Sequence, residues 1–287
     1  MGLGLRTNLI SLDAQRYLKQ STGRLNQSFE RLASGLRVNR SSDDAAGLGI
    51  AQGLRSDARV ATVSIRNAST GISVISIADM ALGQVGNILN RLLELAQQSA
   101  TSTYSMEQRS AMGAEYSALA SEIERIATVT EFDGNKLLAG GSSIAFQVGF
   151  DGSSLSWFSM SNVQATLADL GLATSGSAVP AYSLVAATEG ESVEASRLAV
   201  NAISEAVDRL NRSRGSLGAV QSRLQSTIEN LGIARESFQQ SEAGIMDADV
   251  AEEASEMSKA SIRQQAGTAL LAQANLQPRL VLELLRD

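Results

Sequence analysis

Apolar side chains recur every seven residues in the stretch from Val207 to Phe238. The repeat consists of Leu210, Leu217, Leu224 and Leu231, with Val207, Val220 and Ile228 three or four positions from them. Such spacing places an apolar stripe along one face of a long helix, in the seam that a coiled coil uses. Because one helix cannot bury this stripe alone, the pattern predicts a partner helix elsewhere in the chain.

A second stripe lies near the N-terminus, where apolar residues are spaced alternately four and three apart. It consists of Leu18, Leu25, Phe29, Leu32 and Leu36, with the polar Thr22 inside it. Ser41–Asp44 then offers side chains that cap a new helix. We expect that helix to extend from Ala45 to Ser99, with a periodic later half through Leu82, Leu89 and Leu92. At ~1.5 Å per residue it would be about 80 Å long, which indicates a rod.

The middle of the chain has a different character. A shorter helix follows the break at Thr101–Ser105, and from Thr130 turn signals such as Asp133-Gly134 punctuate two short alternating runs. The first run contains Ile144, Phe146 and Val148, and the second contains Leu155, Trp157 and Ser159. This region predicts a β-hairpin insert, and the Ser-, Ala- and Gly-rich residues 173–191 predict a loop.

The last helix is expected to begin near Val250, with Asp247 or Asp249 as its cap. Its apolar positions include Met257, Ile262, Leu270, Leu284 and Leu285. Pro278 lies inside this pattern, so we expect a kink or an interruption there.

These elements predict a mainly α fold. It would be a long antiparallel coiled coil or helical-bundle rod, built from both chain ends and carrying a small β-hairpin insert. Residues 1–44 and 246–287 would form a terminal coiled-coil domain. Residues 45–175 and 190–245 would form a helical rod domain with the hairpin near 130–165, and the short loop 173–191 would separate its two parts.

The amino-acid composition limits the kinds of catalytic and metal-binding site that the chain can form. The chain has neither His nor Cys, which removes the usual general base near neutral pH, the Ser-His and Cys-His nucleophiles and thiolate metal sites. We therefore predict no enzyme, no metal and no cofactor. No run of 18 apolar residues and no secretory signal sequence is visible, so no membrane span is expected.

Charge is distributed unevenly along the chain. The net charge of −6 argues against a nucleic-acid partner. The first 40 residues are mainly basic, whereas the charges after residue 240 are mainly acidic. This asymmetry predicts that the two ends meet, within one molecule or between copies.

Long motifs at both ends resemble bacterial flagellins. At the N-terminal side these are QSFERLASGLRVNRSSDDAAGLG at Gln27–Gly49, the stretch Gly71–Ser99, and TEFDGNKLLAG at Thr130–Gly140. At the C-terminal side these are SLGAVQSRLQSTIEN at Ser216–Asn230 and DADVAEEASEMSKASIRQQAGTALLAQANLQPRLVLELL at Asp247–Leu285. Only about 30 residues separate the insert from the last long helices, so the chain is similar to a minimal flagellin without large outer domains.

The resemblance implies a secreted structural subunit of the extracellular bacterial flagellar filament, which serves motility. Its terminal helices would drive self-assembly into a helical homopolymer, through a seam of Leu18, Leu25, Phe29, Leu32, Leu36, Met257, Ile262, Leu270, Leu284 and Leu285. A seam inside each molecule would consist of Leu82, Leu89, Leu92, Leu210, Leu217, Leu224 and Leu231. Because the termini lack their partners before assembly, we expect them to be disordered in the monomer.

The resemblance also implies other partners. An export chaperone would bind the C-terminal segment before passage through a type III-like channel, and the filament cap and hook-junction proteins would contact the assembled subunit. Toll-like receptor five would bind at Arg91, Leu95 and Glu115, although Leu93 departs from the family pattern, in which Arg is common.

Three rival functions are distinguishable. A flagellar hook–filament junction protein would resemble flagellin at both ends but would not grow long filaments alone. A zinc peptidase of the kind inserted in some flagellins would need an HExxH helix, which a chain without His cannot form. A membrane-active factor would need an amphipathic helix with a basic polar face, and the C-terminal helix is too acidic.

Overall fold

The computed structural model describes residues 8–140, 143–154, 156–160, 163–174, 177 and 179–284, with side chains as far as residue 276. The helices are α1 (Leu9–Ser34), α2 (Ala45–Ser99), α3 (Met106–Val129), α4 (Glu189–Met246) and α5 (Val250–Leu284). The strands are β1 (Glu131–Phe132), β2 (Asn135–Lys136), β3 (Ile144–Gln147) and β4 (Trp157–Met160). The prediction of a mainly helical chain with a small antiparallel strand pairing is confirmed.

Contacts divide the chain into two compact units. One unit consists of Met1–Ala58 with Glu236–Asp287, and the other of Arg59–Arg235. Both α2 and α4 contribute residues to each unit. The finer limits at residues 44, 175, 190 and 246 stay a prediction.

In the first unit, α1 and α5 lie antiparallel against each other. The side chain of Asn8, at the start of α1, contacts Ala274 near the end of α5, and Thr22 contacts Gln264. A small apolar cluster follows the end of α1, with Val38, Ala51 and Met246 buried at its centre. Both ends of the sequence therefore meet within one molecule.

In the second unit, α2 and α4 also pack in antiparallel order. Asp79 of α2 pairs with Arg214 of α4, and the backbone at Gly71 and Gly86 lies close to Leu224 and Leu210 respectively. A Cβ at Gly71 would come within 3.2 Å of Leu224 Cδ1, and one at Gly86 within 3.1 Å of Leu210 Cδ2. These glycines thus permit a close approach of the two helices, and α3 adds Tyr116 and Ile123 to the same core.

The strands form two antiparallel hairpins. Strands β1 and β2 are joined by Asp133 (φ 50°) and Gly134 (φ 76°), the two consecutive positive φ angles of a type I′ turn. Strands β3 and β4 pair so that Phe146 lies opposite Phe158. Trp157, expected on the second strand, is 41% exposed, because its neighbour Phe158 is the one that packs on the core.

The irregular segment 163–174, together with Leu184 of the predicted loop 173–191, packs against the core. Its backbone pairs with the hairpin region through Ala165 N–H and Leu138 O, 2.9 Å apart, and Leu167, Leu172 and Leu184 are buried in the core. Helix α4 begins at Glu189, inside the stretch expected to be a loop. These buried leucines are spaced irregularly. They therefore give no periodic signal, and the sequence pattern did not reveal them.

The helix ends follow side-chain chemistry. Asp44 Oδ1 accepts from Gly47 N–H at 2.8 Å near the start of α2, and Asp249 Oδ1 accepts from Ala251 N–H at 2.8 Å at the start of α5. Asp249, rather than Asp247, therefore caps α5. The expectation of an interruption at Pro278 is wrong, because α5 continues as helix to Leu284.

Helix α2 is long and apolar enough to cross a membrane by length and composition alone. In the structure several of its apolar side chains, including Ile75, Leu82 and Leu89, lie in the core of the second unit. Burial of these side chains accounts for part of its hydropathy.

Candidate assembly surface

The seam between α1 and α5 alternates large and small side chains. On α1 the buried and half-buried positions that keep a heptad spacing are Ser11, Ala14, Leu18, Ser21, Leu25, Ser28 and Leu32. On α5 the corresponding positions are Glu253, Met257, Ala260, Gln264, Gly267, Leu271 and Ala274. Both lists keep a heptad spacing, which is the pattern of two packed helices. The leucines fit against small partners, since a Cβ at Gly267 would lie 3.4 Å from Leu18 Cδ1.

This seam differs from the stripe that the sequence predicts on α1. Ser21 and Ser28 lie in the seam, one position before Thr22 and Phe29. Phe29 is consequently turned away from the seam and is 54% exposed. A search for apolar periodicity reads serine as polar, so it could not find these positions.

Large apolar side chains remain exposed on both terminal helices. On α1 they are Leu9, Ile10, Leu12, Tyr17 and Phe29, and on α5 they are Val250, Ile262, Leu270 and Leu276. Ile262 is 66% exposed and Leu270 is 64% exposed although α5 is already paired with α1. Such a concentration of exposed apolar groups is typical of an interaction surface.

Some of the other predicted assembly positions lie in the α1–α5 seam, and one lies in the segment that connects α1 to α2. Leu18, Leu25, Leu32 and Met257 are half-buried in the α1–α5 seam, whereas Leu36 packs on the small cluster around Val38. The side chain of Leu284 and the whole of Leu285 lie outside the described residues.

An ion pair crosses the same seam near its other end. Arg31 Nη1 lies 3.7 Å from Glu253 Oε2, and both side chains are largely shielded from solvent. Its place agrees with the basic N-terminal and acidic C-terminal charge that the sequence shows.

The predicted inner seam lies in the core of the second unit. Leu82, Leu89, Leu92, Leu210, Leu217, Leu224 and Leu231 are each 6% exposed or less. Across the edge of this core, Arg214 Nε donates to Asp79 Oδ1 at 2.8 Å, which raises the pKa of Arg214. These leucines are buried within one molecule, so another copy cannot contact them.

The predicted receptor residues do not all lie on the surface. Arg91 is exposed and donates to Glu115 at 2.9 Å and to Glu94 at 3.1 Å, and these bonds raise the pKa of Arg91. Leu95 is only 2% exposed and belongs to the core. A binding partner could therefore reach Arg91 and Glu115 but not Leu95.

No metal-binding cluster of His, Cys, Asp or Glu occurs within the described ranges. One strongly perturbed titration is that of Tyr116, whose pKa is raised to about 12 by burial and, secondarily, by Tyr182. Tyr116 lies in an apolar core, so its raised pKa is a consequence of packing.

Comparison with known proteins identifies relatives of both terminal regions. The model of the bacterial flagellin N-terminal helical region matches residues 5–143, and that of the C-terminal helical region matches residues 200–285. A flagellin of Halalkalibacterium halodurans is 37% identical over 280 residues, which cover 97% of this chain and 98% of the relative.

Two further similarities are partial. Flagellin B of Vibrio anguillarum is 39% identical over 192 residues, which cover 65% of this chain and 51% of the relative. This chain thus spans about half the length of that Vibrio protein. The crystal structure of Bacillus cereus flagellin is 25% identical, with a TM-score of 0.48, over 58% of this chain and 88% of that chain.

The family is structural rather than enzymatic, which confirms the prediction made from the absence of His. With both terminal regions matched and one relative similar over nearly its whole length, this chain belongs to the bacterial flagellin family.

Proposed function

We propose that this protein is the structural subunit of a bacterial flagellar filament and polymerises through its terminal helices. One observation carries the proposal: Phe29, Ile262 and Leu270 are more than half exposed on helices whose seam is already filled by other residues. Burying each of these side chains is worth about 1.5–3 kcal/mol. Neighbouring copies would supply that burial.

The assembled form would be a helical tube. Contacts between different patches of successive copies do not close on themselves, so they generate a filament. A stiff tube of packed helices transmits torque, and small register shifts between helices can change its curvature. The role is mechanical, serves motility and needs no cofactor.

A substitution experiment tests the proposal. The triple variant Phe29→Ser, Ile262→Ser, Leu270→Ser is expected to lose seeded filament growth, measured by light scattering and electron microscopy. Its thermal unfolding should match that of the wild type, because these side chains are exposed in the single molecule. Val179→Ser, which removes an equally exposed apolar side chain from the 173–191 segment, is the matched control and should assemble normally. Normal growth of the triple variant would rule out this surface.

The same growth assay separates the chain from a hook–filament junction protein. We expect the purified wild type to form long filaments alone, which a junction protein would not do. The junction alternative is not favoured, since the family models and the relatives are those of flagellins.

Secretion and further partners belong to the same proposal. The subunit would be exported to the extracellular flagellum with a chaperone on the segment Ser258–Leu285, and it would contact cap and hook-junction proteins. Toll-like receptor five would bind near the exposed Arg91–Glu115 pair without Leu95. Charge reversal of Arg91 should then abolish receptor binding in a pull-down, and unchanged binding would exclude this surface.

A further inference from the structure

The apolar and small side chains of the α1–α5 seam carry little information about the register of the two helices. Its large side chains are only half-buried, and its buried positions are Ser11, Ser21, Ser28, Ala260 and Ala274. Small residues repeated at heptad spacing pack almost equally well after a shift of one heptad. Polar groups that find a partner in one register only are the usual way to remove this ambiguity.

Asn8 is such a group. Its side-chain Oδ1 accepts from Ser11 N–H at 3.0 Å, which caps the start of α1. Its Nδ2 donates at 2.8 Å to the backbone carbonyl of Ala274, on the facing helix. One side chain therefore joins the beginning of α1 to a single position near the end of α5.

The partner carbonyl is available because of Pro278. In an α-helix the carbonyl of Ala274 accepts from the N–H four residues later, and a proline at that position has none. Helix α5 nevertheless continues to Leu284. Ala274 is 4% exposed, so without Asn8 its carbonyl would be left buried with no N–H donor from its own helix.

Between Val250 and Leu280, Ala274 is the one residue whose carbonyl lacks an N–H donor from its own helix because of a proline. Every other carbonyl from Val250 to Leu280 has a non-proline residue four positions later, because Pro278 is the only proline in the C-terminal helix. If α1 moved one heptad towards the start of α5, Asn8 would face carbonyls that already have helical donors, and a shift in either direction would leave the Ala274 carbonyl without its partner. Only one register satisfies both groups.

We propose that Asn8 and Pro278 form a register lock for the terminal helix pair. The lock fixes how Phe29 of α1 lines up with Ile262 and Leu270 of α5, and thus the shape of the surface that a second copy meets. Asn8 is a positioning residue in this account, since it contacts no other copy itself. The inference rests on the proposed assembly function.

A double-mutant cycle on seeded filaments of the full chain tests the lock. Asn8→Ser keeps a capping oxygen but removes the amide donor. In the wild-type background we expect it to raise the critical concentration for growth about five- to tenfold. In the Pro278→Ala background, where Ala274 regains a helical donor, the same substitution should raise it less than about twofold.

Ser11→Ala is the matched control for this cycle. It removes the neighbouring inter-helix bond from Ser11 Oγ to Asn275 Oδ1, 2.9 Å long, which does not depend on Pro278. Its effect should be the same in both backgrounds. If Asn8→Ser has the same effect in both backgrounds, Asn8 acts only as a helix cap and the register lock is overturned. Failure of the wild type to form filaments would instead overturn the proposed function.

A distance measurement gives a second, independent readout. The chain has no native Cys, so spin labels can be placed at the exposed positions Gln20 and Gln265 alone. In filaments diluted with unlabelled wild type, we expect one narrow inter-label distance. Asn8→Ser and Pro278→Ala should each broaden or shift it, although Pro278→Ala improves the helix. An unchanged narrow distance in both variants would contradict the lock.

Discussion

Arg109 is fully buried and is the largest such side chain in the described part of the protein. Its guanidinium donates to backbone carbonyls, at 2.8 Å to Thr101 O, at 3.2 Å to Tyr104 O, and also to Ser99 O. Ser99 ends α2, where carbonyls lack helical donors. Arg109 therefore closes the end of α2 and fixes the turn into α3.

Arg109→Lys should destabilise the monomer, because one ammonium cannot replace a planar fork that serves three carbonyls. We expect the free energy of unfolding to fall by about 2–4 kcal/mol, measured by chemical denaturation. Arg125→Lys is the matched control, since Arg125 is exposed and pairs with Glu122 on its own helix; it should change the free energy by less than about 0.5 kcal/mol. Similar small effects of both variants would refute the carbonyl clamp.

Burial of Tyr116 predicts that the folded protein loses stability at alkaline pH. Its pKa is raised from an ordinary value of 10.0 to about 12, mainly because burial disfavours the phenolate. The unfolded chain loses this proton first, so the contribution to stability is complete below pH ~10 and is lost as pH rises towards about 12. We expect a loss on the order of 2 kcal/mol over this range.

Tyr116→Phe should flatten that alkaline loss, which denaturant titrations at several pH values would detect. In the wild type, a spectrophotometric titration should show a tyrosine that keeps its proton until about pH 12 while the protein is folded. The absence of such a delayed ionisation would show that Tyr116 is not buried as described.

The residue scale also shows what the sequence could and could not predict. The leucine positions of the inner seam followed from their seven-residue repeat alone. Ser21, Ser28 and Arg109 did not, because burial of a polar side chain depends on a facing element that periodicity does not reveal. The predicted stripe on α1 therefore shares Leu18, Leu25 and Leu32 with the observed seam, but it contains the exposed Phe29 in place of Ser28.

At the scale of elements, local chemistry determined most helix ends. Helix α2 begins and ends where the capping and breaking residues predict, at Ala45 and Ser99. Pro278 does not interrupt α5, and the helical hydrogen bond that it removes is replaced by a donor from outside the helix, the side chain of Asn8. That replacement depends on a residue 270 positions away in the sequence, so no local pattern could reveal it.

The two Asp-Gly dipeptides differ in their structural demands. Gly134 has φ 76° in the β1–β2 turn, whereas Gly152 has no positive φ and open space around it. Gly134→Ala should therefore cost about 1–2 kcal/mol of stability, while Gly152→Ala should be nearly neutral. Thermal unfolding of the two variants checks this, and an equal shift in both would show that the turn geometry is wrong.

At the scale of the whole molecule, apolar stripes serve two purposes. The leucines of α2 and α4 are buried inside one copy, where they belong to the core. The terminal pair has a seam of small residues and keeps its larger side chains exposed. Small side chains bury little area, so the pair gains less stability from its own seam. The sequence repeats revealed both stripes, but only the structure separates the side chains used within a copy from those left over.

The central claim is that the terminal helices become stable only when other copies cover them. Amide hydrogen exchange measured on dilute monomer and on assembled filament tests it most directly, with α2 around Leu82 and α4 around Leu210 as internal references. We predict that the amides of Leu9–Ser34 and those of α5 up to Leu276 exchange on the order of 100-fold faster in the monomer than in the filament. The reference amides should be protected in both forms. Equal protection of the terminal helices in dilute monomer and filament would contradict the account.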